Sequence, residues 1–444
     1  MSSFNTTLNE KIIPVIMKFV NLKGVIALKD GILYTLPLTM VGSIMLLLAQ
    51  LPIPALNDAI ASVFGPGWTA PLFKAFGATF NVIALVATIG IAYIYAQNDG
   101  HEPLSAGVIA FVVFLLTTPD SVTTKGGEVV GDIIPAGAWC GGKGMVTAII
   151  IGLIVGSVYS WFMKRKITIK MPDGVPQGVA NSFAALIPAA VIIVGATVVW
   201  AIFNFGLQTT FIEFIYKVLQ TPLQGMTDSL GGVLVMGLLI PFFWWFGIHG
   251  ATIVSGVMTG ILTSNGLENQ AIVTSGKALT IANGAHVVTQ SFLDQLMTVT
   301  GSGMTIGLVV CMLCFAKSAQ FKQLGKLGIV PGIFNINEPI TFGTPIVMNP
   351  FMALPFMLTP TLSGIISYFA IATGIVPPFS AIQVPWTTPA PISGLLVGGW
   401  KTAVLQLVVL TMSFFIYLPF FKREDAMAYK NEQAMQNEEG TLNL

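Results

Sequence analysis

The chain has 444 residues, of which only 9% are charged and 54% are hydrophobic, with a mean hydropathy of +0.82 and a net charge of +1. An average soluble domain is about a quarter charged, so this composition excludes a soluble enzyme and predicts an all-α polytopic membrane protein seated in the lipid bilayer. The near-zero charge, with no basic patch interleaved with aromatics, excludes nucleic acid as a partner.

In chain order, the N-terminal stretch MSSFNTTLNEKIIPVIMKFVNLKG lacks the charged-then-apolar pattern and small-residue cleavage site of a signal peptide. Its Ile12, Ile13, Val15, Ile16, Phe19 and Val20 recur at helical spacing, with Lys11, Lys18 and Lys23 elsewhere. That pattern predicts an amphipathic interfacial helix within 1–28. Apolar runs then predict about ten transmembrane helices, at 29–50, 70–96, 104–118, 144–163, 180–205, 231–248, 250–264, 301–316, 350–375 and 393–420. The third is short. The seventh, ATIVSGVMTGILTSN, is rich in Gly, Ser and Thr, which let helices approach closely and mark it as buried in the bundle. With ten crossings and both termini cytoplasmic, fourteen of the 20 Lys and Arg residues lie inside and six outside, KRKITIK being the clearest inside loop. This agrees with the positive-inside rule. The tail 422–444 is polar and is expected to be short and mobile. Together these readings give one membrane domain, 29–421, with no internal repeat.

Two segments fit neither a spanning helix nor an ordinary loop. Residues 328–350, GIVPGIFNINEPITFGTPIVMNP, are interrupted by Pro331, Gly332, Pro339, Gly343, Pro345 and Pro350, and residues 376–392 hold five prolines and Trp386. Irregular backbone at membrane depth is tolerated only inside protein or along a wet cavity, and such broken, re-entrant segments are the usual pointer to a transporter's substrate site. Between Lys326 and Lys401 there is no Lys, Arg or Asp, and Glu338 is the only Glu. A carboxylate at membrane depth costs a few kcal/mol or more and normally faces a cavity or a partner. With Asn335 and Asn337 beside it, Glu338 is suited to hydrogen-bonding the hydroxyls of a sugar. The competing readings are a surface carboxylate or a helix cap.

His249, in PFFWWFGIHGAT, lies at the edge of a predicted span, where it can bind substrate, handle protons or simply sit between helices. Trp245, its neighbour Trp244 and Trp386 can stack on a pyranose face, although an interfacial aromatic belt competes for the first two. Asp99 and His101 read as a solvated turn, Lys143 as a substrate contact or a snorkelling side chain, and His286 as part of a polar stretch with nothing to indicate a metal. Cys140, Cys311 and Cys314 read as buried small hydrophobes. No P-loop, dinucleotide fingerprint or zinc motif appears, so no cofactor or metal is expected.

The segments GIFNINEPITFGTPIVMNP, YAQNDGHEPLSAGVIAF and FGIHG resemble the enzyme IIC permeases of the bacterial phosphoenolpyruvate-dependent sugar phosphotransferase system, in the lactose/cellobiose/diacetylchitobiose branch. The resemblance spans essentially the whole chain, and its NxNEP and FGxPIVxNP motifs are highly specific. It implies a homodimer in the bacterial cytoplasmic (inner) membrane, with a dimer-contact half at 29–205 and a sugar-binding half at 206–421. It implies alternating access for a β-linked disaccharide, such as cellobiose, diacetylchitobiose or lactose. A separate phosphorylated IIB protein, charged by IIA upstream, supplies the phosphoryl group from its Cys, so this chain is a transport subunit. Carried over by motif, the family's Glu is Glu338, its His is His249 and its sugar-facing Trp is Trp386. Glu338 and His249 would bind sugar hydroxyls and assist deprotonation of the one that accepts phosphate. The rival reading is a proton-coupled symporter using Glu338 or His249, and a weaker third is an uncoupled facilitator.

Overall fold

The computed structural model describes residues 13–50, 54–123, 128–131, 133–172, 174–344 and 346–442. Residues 1–12, with Lys11 and Ile12 of the expected N-terminal amphipathic helix, and also Lys125 and Pro345, lie outside the described residues, while Ile13–Val20 is helical. The chain is helical as its composition requires. The small departure among the described residues is a two-residue antiparallel pairing of Val122–Thr123 with Val129–Val130. Among the described residues, six helical stretches are long and apolar enough to cross a membrane: Lys23–Ala49, Ala70–Asn98, Gly142–Lys164, Gln177–Gly206, Pro350–Ala372 and Trp400–Gln436. Counting Phe211–Thr227 with Leu230–Trp245 as one broken span makes seven. The expected spans at 104–118 and 301–316 are helices, Pro103–Thr117 and Ile306–Phe315, but short ones. The first apolar stretch begins at Lys23, six residues ahead of the expected start.

The chain falls into two compact units, Met1–Gly225 with Ser255–Leu267, and Met226–Val254 with Glu268–Leu444. In the first, Ile83–Asn98 and Met145–Lys164 pack through Ala84, Ala87, Ala92, Ala148 and Val155. Small residues permit this closeness: a side chain at Gly31 would run into the backbone of Gly90 and Ile91, and close backbone approach is what such residues provide in membrane bundles. The turn Asn98–Glu102 is firmer than a solvated loop. Asp99 pairs with Lys23, and Glu102 caps Pro103–Thr117 by accepting from Leu104 and Ser105 N–H. The Gly- and Thr-rich expected span is the middle of the helix Gly250–Thr274. Its Ser264 and Asn265 are buried and accept from the amides of Gln220 and Gln224. That network explains why so polar a helix sits inside protein. Lys143 is exposed and lies 5.9 Å and 5.5 Å from the ring centroids of Trp139 and Tyr216, within cation–π reach of both.

In the second unit, Leu230–Trp245 packs on Pro350–Ala372, Gly237 against Thr361 and Gly364 against Val233. Ile306–Phe315 packs along Trp400–Leu442. Cys140 and Cys311 are buried, but Cys314 faces outward beside Leu313 and Phe315. The expected mobile tail is instead helical. Trp400–Leu442 continues unbroken past residue 422 because its polar residues find partners in the same unit.

His286 is held between two carboxylates, Nδ1 at 2.9 Å from Asp228 and Nε2 at 3.0 Å from Glu268. Asp228 also accepts from Val288 N–H. Burial alone would push this imidazole down, but the hydrogen bonds and charges of Asp228 and Glu268 outweigh it and lift the pKa from 6.5 to about 9. A histidine raised in the fold stabilises fully below its unfolded value and loses that contribution as pH climbs through the folded one. The difference in melting temperature between the wild type and His286→Gln is therefore expected to be largest at and below pH 6.5 and to shrink as pH passes about 9. A difference that stays constant between pH 6 and 10 would rule out a charged imidazole.

Candidate sugar site

The second expected irregular segment, 376–392, is indeed without helix until Ile392–Gly398 begins. The first is more ordered at its start. Ala319–Ile333 runs helical through Pro331, and the break comes at 334–337. There Asn335 takes a left-handed conformation, φ +64°, which Asn tolerates better than most residues because its short side chain bonds locally. Its Oδ1 accepts from Thr300 N–H at 2.6 Å, and its Nδ2 donates to the carbonyls of Trp386 and Thr388. One buried amide thus ties together the loop at 300, the signature turn and the Pro-rich segment. Asn337 is buried too and donates to the Ser302 carbonyl. Its side chain lies over Gly301, where a Cβ would collide with it.

These anchors present Glu338, the first residue of the short helix Glu338–Gly343, with Pro339 next to it supplying no N–H to satisfy. Glu338 is 44% exposed at its side chain, and its Oε1 lies 4.0 Å from Nε2 of His249, itself 52% exposed. His249 starts the helix Gly250–Thr274 and caps it, Nδ1 accepting from Thr252 N–H at 3.2 Å and lying 2.6 Å from the Thr252 hydroxyl. A ring nitrogen that accepts a backbone N–H carries no proton, so in the neutral imidazole the proton sits on Nε2, on the side of Glu338.

Trp244 packs its ring against His249, centroids 4.5 Å apart, and against Phe342 at 5.8 Å. Trp245 is buried, and its Nε1–H donates to the Asn349 carbonyl at 3.0 Å. Trp386 is 53% exposed.

The chemistry follows from the 4.0 Å gap. It is too long for a direct hydrogen bond, yet it sets a donor, Nε2–H, beside an acceptor, the carboxylate. A hydroxyl oxygen between them can accept from one and donate to the other, which a polyol satisfies and a bare cation does not. The residues expected from sequence thus divide by setting. Glu338 and His249 come together with accessible polar atoms, and Trp386 offers an open ring. Asn335, Asn337 and Trp245 have their polar groups engaged with backbone. Trp244, open in the sequence between a stacking and a belt role, is the aromatic that packs on His249. Its spacing of five residues from His249 across the turn after Trp245 carried no such signal. Among the described residues, no group of three or more His, Cys, Asp or Glu is arranged to hold a metal.

Residues 29–360 match the family model of the phosphotransferase system EIIC component. The chain belongs to this family. EIIC chains are membrane-embedded sugar permeases of that system, and this one is similar over nearly its full length to other members. It is 40% identical to the cellobiose-specific EIIC component of Geobacillus stearothermophilus, over 98% of this chain and 97% of that protein. It is 39% identical to the lichenan permease IIC component of Bacillus subtilis (strain 168), over 98% and 97%. Its fold matches the crystal structure of ChbC, the IIC component of the N,N'-diacetylchitobiose-specific phosphotransferase system, with a TM-score of 0.91 at 39% identity, covering 96% of this chain and 99% of that one. The EIIC assignment agrees with the resemblance drawn from the NxNEP motif.

Proposed function

We propose that this EIIC chain carries a β-linked disaccharide, of the cellobiose or diacetylchitobiose type, across the cytoplasmic membrane by alternating access, and presents it to a phosphorylated IIB protein that is recharged by IIA. The observation that carries the reading is the Glu338–His249 pair, a carboxylate on a turn held by buried amides and an Nε2–H at the start of the helix Gly250–Thr274, set 4.0 Å apart. In this reading the pair holds one sugar hydroxyl, and Glu338 draws on its proton as the phosphoryl group arrives. Trp386 stacks on the apolar face of a pyranose. Asn335, Asn337 and Trp245 act as the frame that aims these groups. The specificities named for the relatives support a β-linked substrate.

The same proposal includes ten crossings, both termini cytoplasmic, and a homodimer. The 29–205 half forms the dimer contact, the 206–421 half holds the sugar, and 1–28 and 422–444 lie on the cytoplasmic side. The helix Gln177–Gly206 supports a partner surface in the first half: Leu186, Val191, Val194 and Val198 stand exposed along it, an apolar stripe that a second copy would cover.

Uptake of radiolabelled cellobiose and diacetylchitobiose into membrane vesicles, with and without phosphorylated IIB inside, tests the coupling. The expected result is accumulation of sugar phosphate that stops when phosphorylated IIB is omitted. Accumulation of free sugar driven by a proton gradient without IIB would replace this reading with a symporter, and downhill flux alone would replace it with a facilitator.

A further inference from the structure

The C-terminal part of the helix Trp400–Leu442 does more than end the chain. Asp425 is 4% exposed and accepts three hydrogen bonds, from Lys317 N–H at 2.8 Å, Ser318 N–H at 3.0 Å and the Ser318 hydroxyl at 2.7 Å. Glu432, two turns further on the same face, accepts from Ala319 N–H at 2.9 Å and Gln320 N–H at 3.0 Å. Together they occupy the N–H groups that the first turn of Ala319–Ile333 cannot satisfy within itself, and they set negative charge at the positive end of its dipole. Ser318 Oγ supplies the local cap to Phe321 N–H, so these carboxylates come in addition to a cap that sequence alone would provide. Beside Asp425, Glu424 accepts from the Asn349 side-chain amide at 3.3 Å. Asn349 begins the helix Pro350–Ala372, and its carbonyl is the one that takes the Trp245 N–H.

The two ends of residues 317–349 are therefore held by consecutive residues of one helix, with Glu432 adding a second grip at the first end. Between them lies the signature turn. The far end of Ala319–Ile333 is two residues from Asn335, so a tilt at its N-terminus is delivered to Glu338 by a stiff rod. We propose that Glu424, Asp425 and Glu432 are positioning residues for sugar binding: they form an acidic latch that fixes the segment bearing Glu338 at its distance from His249. This rests on the reading that Glu338 binds sugar. None of the three touches the sugar. They act through the geometry of the turn.

The test is a double-mutant cycle read by calorimetry with cellobiose and diacetylchitobiose, on detergent-purified full-length protein whose folded fraction is checked by gel filtration and circular dichroism. Asp425→Asn, which keeps the shape and loses the charge, is expected to weaken binding about tenfold in folded protein. In a Glu338→Gln background it is expected to weaken what binding remains by less than about twofold, because the group it aims has already been altered. A residue that only stabilised the fold would lower the melting temperature and leave the affinity of the surviving protein unchanged in both backgrounds, and that result would overturn the proposal. If Asp425→Asn does not fold, Glu424→Gln combined with Glu432→Gln removes bonds at less buried positions, and wild-type affinity in that folded double variant overturns it equally. If Glu338→Gln alone binds as wild type does, the sugar-site reading falls and the latch with it. If Glu338→Gln loses binding while the latch variants keep it, only the latch falls.

Discussion

Glu338→Gln is expected to weaken binding of cellobiose or diacetylchitobiose by about tenfold to a hundredfold, the scale of one lost charge-assisted hydrogen bond, with little loss of folded protein. The substitution is nearly isosteric, and the side chain is 44% exposed, so no buried group is left bare by it. What changes is the acceptor. The carboxylate offers two charged oxygens to a hydroxyl that also takes Nε2–H of His249, whereas the amide offers one neutral oxygen and a competing N–H. Phosphorylated-sugar accumulation is expected to fall further than binding does, since an amide cannot draw on the hydroxyl's proton. Calorimetry on the purified variant, run beside vesicle uptake with phosphorylated IIB, separates the two effects. Unchanged binding together with lost accumulation would remove Glu338 from the sugar's ligands and leave it a proton-handling role alone.

Asn335→Ala is expected to remove function by another route, through loss of the folded site. The Asn335 amide is buried and makes three hydrogen bonds to backbone, to Thr300, Trp386 and Thr388. Removing it strands a buried N–H and two carbonyls, at about 1–3 kcal/mol for each group left unsatisfied. Alanine is also strained at φ +64°, where a Cβ crowds the following carbonyl oxygen. Asn335→Gly relieves the backbone strain but not the lost bonds, so comparing the two variants divides the loss between its causes. Both are expected to melt lower than wild type, Asn335→Ala more so, and both to lose sugar binding. Aspartate, which turns the donor facing two carbonyls into an acceptor, is expected to be no better than glycine. A thermal melt of all three against wild type measures this, and a wild-type melting temperature for Asn335→Ala would contradict the role assigned to the amide.

The two asparagines of the signature show where reading a sequence stops. Asn335 and Asn337 precede a lone carboxylate in an apolar, Pro-broken segment, and from that pattern all three can hydrogen-bond sugar hydroxyls. Which of them face outward depends on what else comes near. Asn335 is engaged because the chain around 300 and 386–388 folds onto it, and Asn337 because Ser302 does. Those partners lie 35 to 53 residues away in sequence, and no local periodicity encodes such a meeting. Likewise, Trp244 and Trp245 are adjacent and alike, yet one packs on His249 and the other binds Asn349. Successive residues of a helix point about 100° apart, and only the neighbours decide which direction leads to the site.

Class and chemistry belonged to the chain itself. So few charges in so many apolar residues admit only a membrane protein, because each charge left in hydrocarbon costs several kcal/mol. The same cost makes a solitary Glu338 conspicuous, and the density of Pro and Gly around it argues against a plain spanning helix. Local composition was enough for these conclusions because each follows from the transfer of single groups out of water. The tail and His286 lay beyond that kind of reasoning. A run as polar as 422–442 reads as a solvated end until the backbone N–H groups of Lys317 to Gln320 arrive to be capped by it. A histidine in a polar loop reads as ordinary until Asp228 and Glu268 close on it from 58 and 18 residues away. Hydrogen bonds and ion pairs act over about 3 Å, so their partners are chosen by the packing of helices remote in sequence, and only the assembled fold reveals them.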